Sequence, residues 1–407
     1  MHVVVLGAGI AGLTTAWYLT EIGVDVSIVD RGAAPASETS HANGGHLSTQ
    51  DATPWTGPRE MREFIFSRWQ REPAVRIYPR SEPDFRAWSR HALAVARPAR
   101  YRRATAELRR LAAYSRECFD ELIRDQRLDV ALERSGTMAL YRSAHAFHGA
   151  RRRHDGNVET LGVDDIITRE PALAGARLRP AGALYYSGDA TGDCRRFCEE
   201  LATRLEARGV TLHWNCIASG LHFDRGKPFC AMTDRGPIEA DACVVALGAE
   251  ASSFMRAYAP WLPIIPLRGY TLTAPIAEGA SAPGRFADAE RHLVFARLGG
   301  SFRAAGMADF AGLSREAPAA RLAQLERLTR DWYPDMAQPE FWTCLRPITP
   351  DGPPILGVSG VPGVWLNTGL GPFGWTLACG TGRLVADLIA GREPAIPLAG
   401  FLAERFA

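Results

Sequence analysis

A G-x-G-x-x-G run, GAGIAG at residues 7–12, stands between the β-branched stretch HVVVL and the helical pattern LTTAWYLTEIG, which leads into VDVSIVD. The order strand, glycine loop, helix, strand constrains the fold more than any other feature, because it opens a parallel βαβ unit. Gly7 permits the tight turn, Gly9 lets a pyrophosphate approach the backbone, and Gly12 lets helix and sheet pack closely. The helix N-terminus, with Ile10 and Ala11 in its first turn, then offers unpaired N–H groups to phosphate. Asp30 closes the second strand, with Arg31 beside it, where a carboxylate accepts hydrogen bonds from a ribose diol and disfavours a 2′-phosphate. One adenine dinucleotide is expected here.

The same spelling recurs near the other end, as GLGPFG at residues 369–374, after VWLNT and before WTLACGTGRLVADLIAG. Only 33 residues follow Gly374, with no second strand ending in an acid, so a second nucleotide unit does not fit. A helix N-terminus with Gly369, Gly371, Gly374, Trp375 and Thr376 around it does fit, aimed at another part of the first cofactor. The pyrimidine end of a flavin gains negative charge on reduction, which helix N–H groups stabilise. One FAD gripped from both ends of the chain is the expectation.

Length and composition narrow the rest. The 407 residues allow two domains, and 47 cations against 45 anions, a net +2, exclude a general nucleic-acid binder. Lys227 is the only lysine; it sits in the turn-like FDRGKPF, so Schiff-base chemistry is not expected. The eight cysteines form no C-x-x-C pair, and Cys194 and Cys198 are spaced for a packed helix. No metal site is expected, since His145, His148 and His154 lack a carboxylate or cysteine at ligand spacing. The chain opens on a strand with no basic leader, and no apolar run approaches the ~18 residues of a span, which points to the cytoplasm. Residues 90–116 hold eight arginines against Glu107, with RRRH at 151–154 as an extension. That pattern reads either as a solvated helical face or as a peripheral contact with an anionic membrane surface.

Seven stretches together resemble one family: VVVLGAGIAGLTTAWYL, ETSHANGGHLS, DATGDCRRFCEELA, PLRGYTLT, RAAGMADFAG, WTCLRPITPDGPPILG and NTGLGPFGWTLACGTGRLVADLIAGREPAIP. The chain looks like the bacterial D-amino-acid dehydrogenases, within the D-amino-acid oxidase and glycine oxidase superfamily. The resemblance implies an α/β fold: a Rossmann-like FAD-binding domain (1–85, 147–255, 340–407) interleaved with an α+β substrate domain (86–146, 256–339) built on a mixed antiparallel sheet. It implies a flavin-cradling loop at Ser40, Asn43, Gly44 and Gly45, with His46 and Leu47 as cofactor wall. Ile217, Leu247 and Gly248 are expected against the cofactor as well.

An arginine in an apolar setting is costly to bury unless an anion meets it. Arg346, in LRPITPDG, is therefore either paired with Asp351, placed at the surface, or, as the resemblance implies, the clamp on a substrate carboxylate. Tyr270 is a second candidate contact, with a core tyrosine as the alternative. The implied reaction is hydride transfer from the substrate α-carbon to flavin N5, giving an imino acid that hydrolyses to a 2-oxo acid and ammonia. Electrons then pass to a quinone or another respiratory acceptor. Oxidation of secondary amino acids such as sarcosine, proline or hydroxyproline is the alternative, as is a substrate-free flavin subunit. Three departures from relatives bear on this. Leu370-Gly-Pro-Phe373 replaces a histidine-containing segment and makes an apolar wall, Cys344 replaces glycine and is a candidate for covalent flavin attachment with a buried small side chain as the alternative, and no lysine is available to activate oxygen.

Overall fold

The computed structural model describes residues 1–67, 72–78, 84–153, 158–224, 227–258 and 261–406; His154 lies outside them. Its first layer is a six-stranded sheet in the order Ile355–Val358, Val364–Thr368, Ala242–Val245, His2–Leu6, Asp25–Val29, Thr211–His213. All neighbours run parallel except the antiparallel edge strand Ile355–Val358. A central parallel strand covered on both faces must be apolar on both, and Val3, Val4, Val5 and Leu6 are fully buried. A separate antiparallel sheet is formed by Ala218–Asp224, Lys227–Thr233 and Gly236–Ala240.

The helix Ile10–Glu21 is buried on most sides because it packs on the sheet and against the helices Gly374–Ile389 and Cys194–Ala207. Cys194 and Cys198 are buried in the last of these, as free thiols. The two helices that follow the glycine loops touch directly. A Cβ on Gly382 would lie 2.7 Å from the Thr14 carbonyl carbon, and the Thr14 hydroxyl donates to the Ala378 carbonyl at 2.9 Å. Segments 364 residues apart in the chain are thus joined, side-chain hydroxyl to backbone carbonyl.

The second layer is a nine-stranded mixed sheet running Glu340–Ile348, Ile265–Pro275, Ser301–Phe310, Leu293–Leu298, Phe286–Asp288, Thr137–Tyr141, Gly182–Tyr186, Glu159–Leu161, with Val75–Ile77 beside Ser301–Phe310. Phe286 stacks on Phe295 at 4.4 Å, and Trp332 closes this core from beyond the helix Ala319–Arg330. Strand pairing crosses the expected segment boundaries. Glu159–Leu161, Gly182–Tyr186 and Glu340–Ile348 hydrogen-bond into this sheet, whereas the helix Pro98–Gln126 packs on Gly374–Ile389 beside the first. Backbone pairing between distant segments decides this, and no local pattern encodes it.

Tyr270 takes the core position rather than a substrate-facing one. It is fully buried and its hydroxyl donates to Asp309 Oδ2 at 2.5 Å, while Arg268 Nε donates to it at 3.0 Å. Arg321 holds the other oxygen of Asp309 at 2.7 Å and the carbonyls of Pro73 and Ala74. Arg321 and Asp309 are fully buried, so removing one partner strands the other. Arg321→Leu is expected to cost about 3–5 kcal/mol of stability, read as a lowered urea midpoint; an unchanged midpoint would show that Arg268 compensates alone.

Candidate functional site

The loops after His2–Leu6, Ala242–Val245 and Val364–Thr368 leave the sheet at the carboxyl ends of three adjacent parallel strands, where α/β sheets open a crevice. They line a cleft of about 1640 Å³ that continues to the second sheet. Of the expected site residues, all line it except three. Gly12 packs helix to loop, with a built Cβ only 1.8 Å from the Gly7 carbonyl oxygen. Leu47 lies in the core, and Tyr270 belongs to the buried network above.

At the glycine loop, Gly7 adopts φ +106°, and a Cβ there would meet the Ala246 carbonyl oxygen at 2.6 Å. The helix Ile10–Glu21 begins with no capping side chain from Gly9 and no acid in its first turn, a terminus suited to an anion. Ser40 Oγ accepts from the Ile10 amide at 3.1 Å and ties the second loop to this turn. Asp30 accepts the Ala8 amide at 2.6 Å and the Gly32 amide at 2.7 Å, one on each oxygen. Each oxygen keeps a lone pair for a ribose diol. Arg31 lines the cleft with its guanidinium already engaged: it donates to Glu38 at 2.7 Å and Glu250 at 2.7 Å. Arg315 closes the ring, at 2.9 Å from each of the same two acids.

Further along, Asn43 Oδ1 accepts the Gly45 amide at 2.9 Å and shapes the cradling turn. His46 Nε2 lies 3.0 Å from the Phe295 carbonyl, an acceptor only, so that nitrogen carries the proton. Burial lowers the His46 pKa and favours this neutral form. Around the second glycine loop, Asn367 Oδ1, an acceptor, and Trp375 Nε1, a donor, are buried polar atoms of cleft-lining residues with no hydrogen-bond partner among the described residues. Such atoms are costly unless a ligand meets them. With the open helix N-terminus and Asp30, they fit a flavin dinucleotide laid between the two glycine loops.

Beyond this stretch stands Arg346, half-buried on the strand Glu340–Ile348. It is not paired with Asp351, because Arg405 takes both oxygens of that carboxylate, at 2.7 and 3.1 Å. Among the described residues no acid lies within ion-pair distance of Arg346; its nearest acceptor is the Met307 carbonyl, a long 3.4 Å away. Room for the guanidinium comes from Gly269, where a Cβ would sit 2.5 Å from Arg346 Cζ. Met307 has φ +53° at a bulge between the paired strands Ile265–Pro275 and Ser301–Phe310. The Trp55 ring stands 5.5 Å from Arg346. Leu370, Pro372 and Phe373 form the apolar wall expected of them.

Sequence reasoning missed Glu38, Glu250 and Arg315, and also Met307, Asp51 and Asp189, all of which line the cleft. Glu38, Asp189 and Met307 stand inside the quoted stretches and Asp51 stands three residues after one, so these carried a usable signal, whereas Glu250 and Arg315 carried none. Cys344 also lines the cleft, and burial pushes its thiol up despite Arg346, so it is kept from the thiolate form that covalent attachment requires.

A family model described as FAD dependent oxidoreductase matches residues 2–388. Two proteins named D-amino acid dehydrogenase, from Agrobacterium fabrum and Cereibacter sphaeroides, are 36% and 38% identical over 100% of this chain and 100% and 96% of their own. Among solved structures, glycine oxidase from Geobacillus kaustophilus is similar, with TM-score 0.75, 21% identity and coverage of 98% and 97%. An L-proline dehydrogenase from P. horikoshii aligns with TM-score 0.74 at 14% identity, covering 100% and 97%. Acid precipitation of the flavin-loaded protein is expected to release all the flavin to the supernatant; a yellow pellet would contradict the protonated state of Cys344.

Proposed function

The chain belongs to the FAD dependent oxidoreductase family, and from that premise we propose that it oxidises D-amino acids to 2-oxo acids and ammonia. One observation carries the reading at the level of residues: a half-buried guanidinium that faces the cleft without an acid. A planar two-pronged donor of this kind matches a carboxylate, and the carboxylate is common to all amino acids. When bound, the flavin accepts a hydride from the substrate α-carbon. Arg346 binds and orients the substrate, and Trp55 with Leu370 and Phe373 keeps water from the reacting carbon. His46, neutral and with its Nδ1 lone pair free, forms part of the cofactor wall.

For the electron acceptor, the same proposal takes a quinone or other respiratory carrier. Support comes from the helices Phe85–Val95 and Pro98–Gln126 and the turn between them, where Arg97, Arg100 and Arg103 are exposed along with Leu93. Cationic and apolar groups together suit a peripheral membrane contact. No helix among the described residues is long and apolar enough to cross a membrane. A second reading, oxidation of secondary amino acids, is favoured only by the apolar wall of Leu370, Pro372 and Phe373, which suits a ring substrate.

The test is anaerobic mixing of the flavin-loaded protein with D- and L-amino acids, sarcosine and proline. Bleaching of the flavin band by primary D-amino acids is the predicted result; bleaching by secondary amines alone would select the second reading. Arg346→Gln is expected to lower kcat/KM by about 10- to 100-fold, the value of a hydrogen-bonded charge pair, with the flavin spectrum retained.

A further inference from the structure

With no acid beside it, the Arg346 guanidinium has to be held in place by neutral groups. Gly269 on the adjacent strand leaves the space in which it lies. Trp55 is the second such group: the guanidinium carbon sits over its ring, 5.5 Å from the centroid, within the range at which an aromatic face attracts a cation. Among the described residues no other ring stands in this relation to Arg346. Trp55 is partly buried against the cluster that contains Trp88, Leu267 and Ile348, so water screens the contact less than at an open surface.

The segment that carries Trp55 is braced against the arginine's own strand. In TPWTGP, residues 53–58, Pro54 fixes its own φ and Pro58 opens the helix Pro58–Ser67, which leaves few soft dihedrals around the tryptophan. Thr56 is 1% exposed and donates its hydroxyl to the Pro350 carbonyl at 2.7 Å. Pro54 lies against Gly352, where a Cβ would meet the proline Cβ at 2.9 Å and where φ is +98°. Both contacts fall on the turn at 349–352, which follows directly on the strand Glu340–Ile348. That turn is pinned in its turn: the Gly352 amide donates to Thr349 Oγ1 at 3.1 Å, and Arg405 holds Asp351 with two hydrogen bonds. Indole and guanidinium therefore stand on one fixed unit, although they lie far apart in the chain.

We propose that Trp55 is a positioning residue for the carboxylate clamp, its ring holding the Arg346 guanidinium in place for the substrate carboxylate. This role rests on the amino-acid reading above and deepens it at the same arginine. A long side chain fixed before the ligand arrives has less rotamer freedom left to lose on binding, and affinity gains by that amount. The role is separate from keeping water off the reacting carbon. An apolar side chain of similar bulk excludes water equally well, whereas only an aromatic face attracts the cation.

The decisive comparison is Trp55→Leu against Trp55→Phe, which both keep an apolar side chain and differ in whether it has a ring face. Anaerobic stopped-flow reduction of the flavin-loaded protein by D-alanine, or by D-proline under the second reading, separates the half-saturating concentration from the limiting rate. Trp55→Leu is expected to raise the half-saturating concentration by about 5- to 30-fold, with the limiting rate within about twofold of the wild type, and Trp55→Phe to stay within about twofold in both. Wild-type flavin absorbance and melting temperature identify folded variants, and Trp55→Met takes the place of the leucine variant should that one fail to fold. Equal half-saturating concentrations for the ring and ringless variants, both low or both high, overturn the role. A loss confined to the limiting rate overturns it as well. Absence of reduction of the wild type by either amino acid defeats the amino-acid reading itself, so the two failures are distinguishable.

Discussion

A guanidinium held in the cleft wall with no carboxylate against it among the described residues is the constraint on which the proposed substrate side of this molecule depends. Arg346 could have found an acid one turn of chain away, at Asp351, but Arg405 has claimed it with two hydrogen bonds. Gly269 vacates the space the guanidinium occupies, and the bulge at Met307 offers only a distant carbonyl. A half-buried cation arranged in this way loses part of its hydration with little protein in return. In the proposed reading an anionic ligand supplies the missing partner, and the carboxylate of the amino-acid substrate is that anion.

The cofactor side is governed by a different economy of backbone. Three loops meet because their strands are neighbours in one parallel sheet, and the helices behind two of them are in backbone contact at Thr14 and Gly382. The second G-x-G-x-x-G spelling therefore lines the same cleft as the first, from the opposite side. Around the mouth, Arg31, Glu38, Glu250 and Arg315 form a closed ring of four charges drawn from three separated parts of the chain. Ion pairs this exposed contribute little individually, so the ring's value lies in holding the loops in register.

What was legible in the sequence was whatever depends on neighbours a few residues away. The turn at Gly7, the helix start at Ile10, the acid at Asp30 and the strand–loop–helix around Gly369 are local, and the structure has them in these positions. Partnerships across the fold were not legible. Tyr270 was open to a substrate contact or a core place, and the partners that enclose it in the core, Asp309 and Arg321, stand 39 and 51 residues on. Arg31 lines the cleft beside Asp30, but its partner Glu250, 219 residues away in sequence and beside it in space, had no local signal. The same blindness hid the pairing of Glu340–Ile348 with Ile265–Pro275, which carries Arg346 into the second sheet.

The central claim is that Arg346 awaits a carboxylate, and it can be isolated from turnover altogether. Titrating the oxidised, flavin-loaded protein with benzoate, a carboxylate that has no amine and cannot be oxidised, reports occupancy through the flavin absorbance. A saturable spectral shift that disappears in Arg346→Gln is the predicted result. An equal shift in both proteins would contradict the account, because the anion would then be held elsewhere.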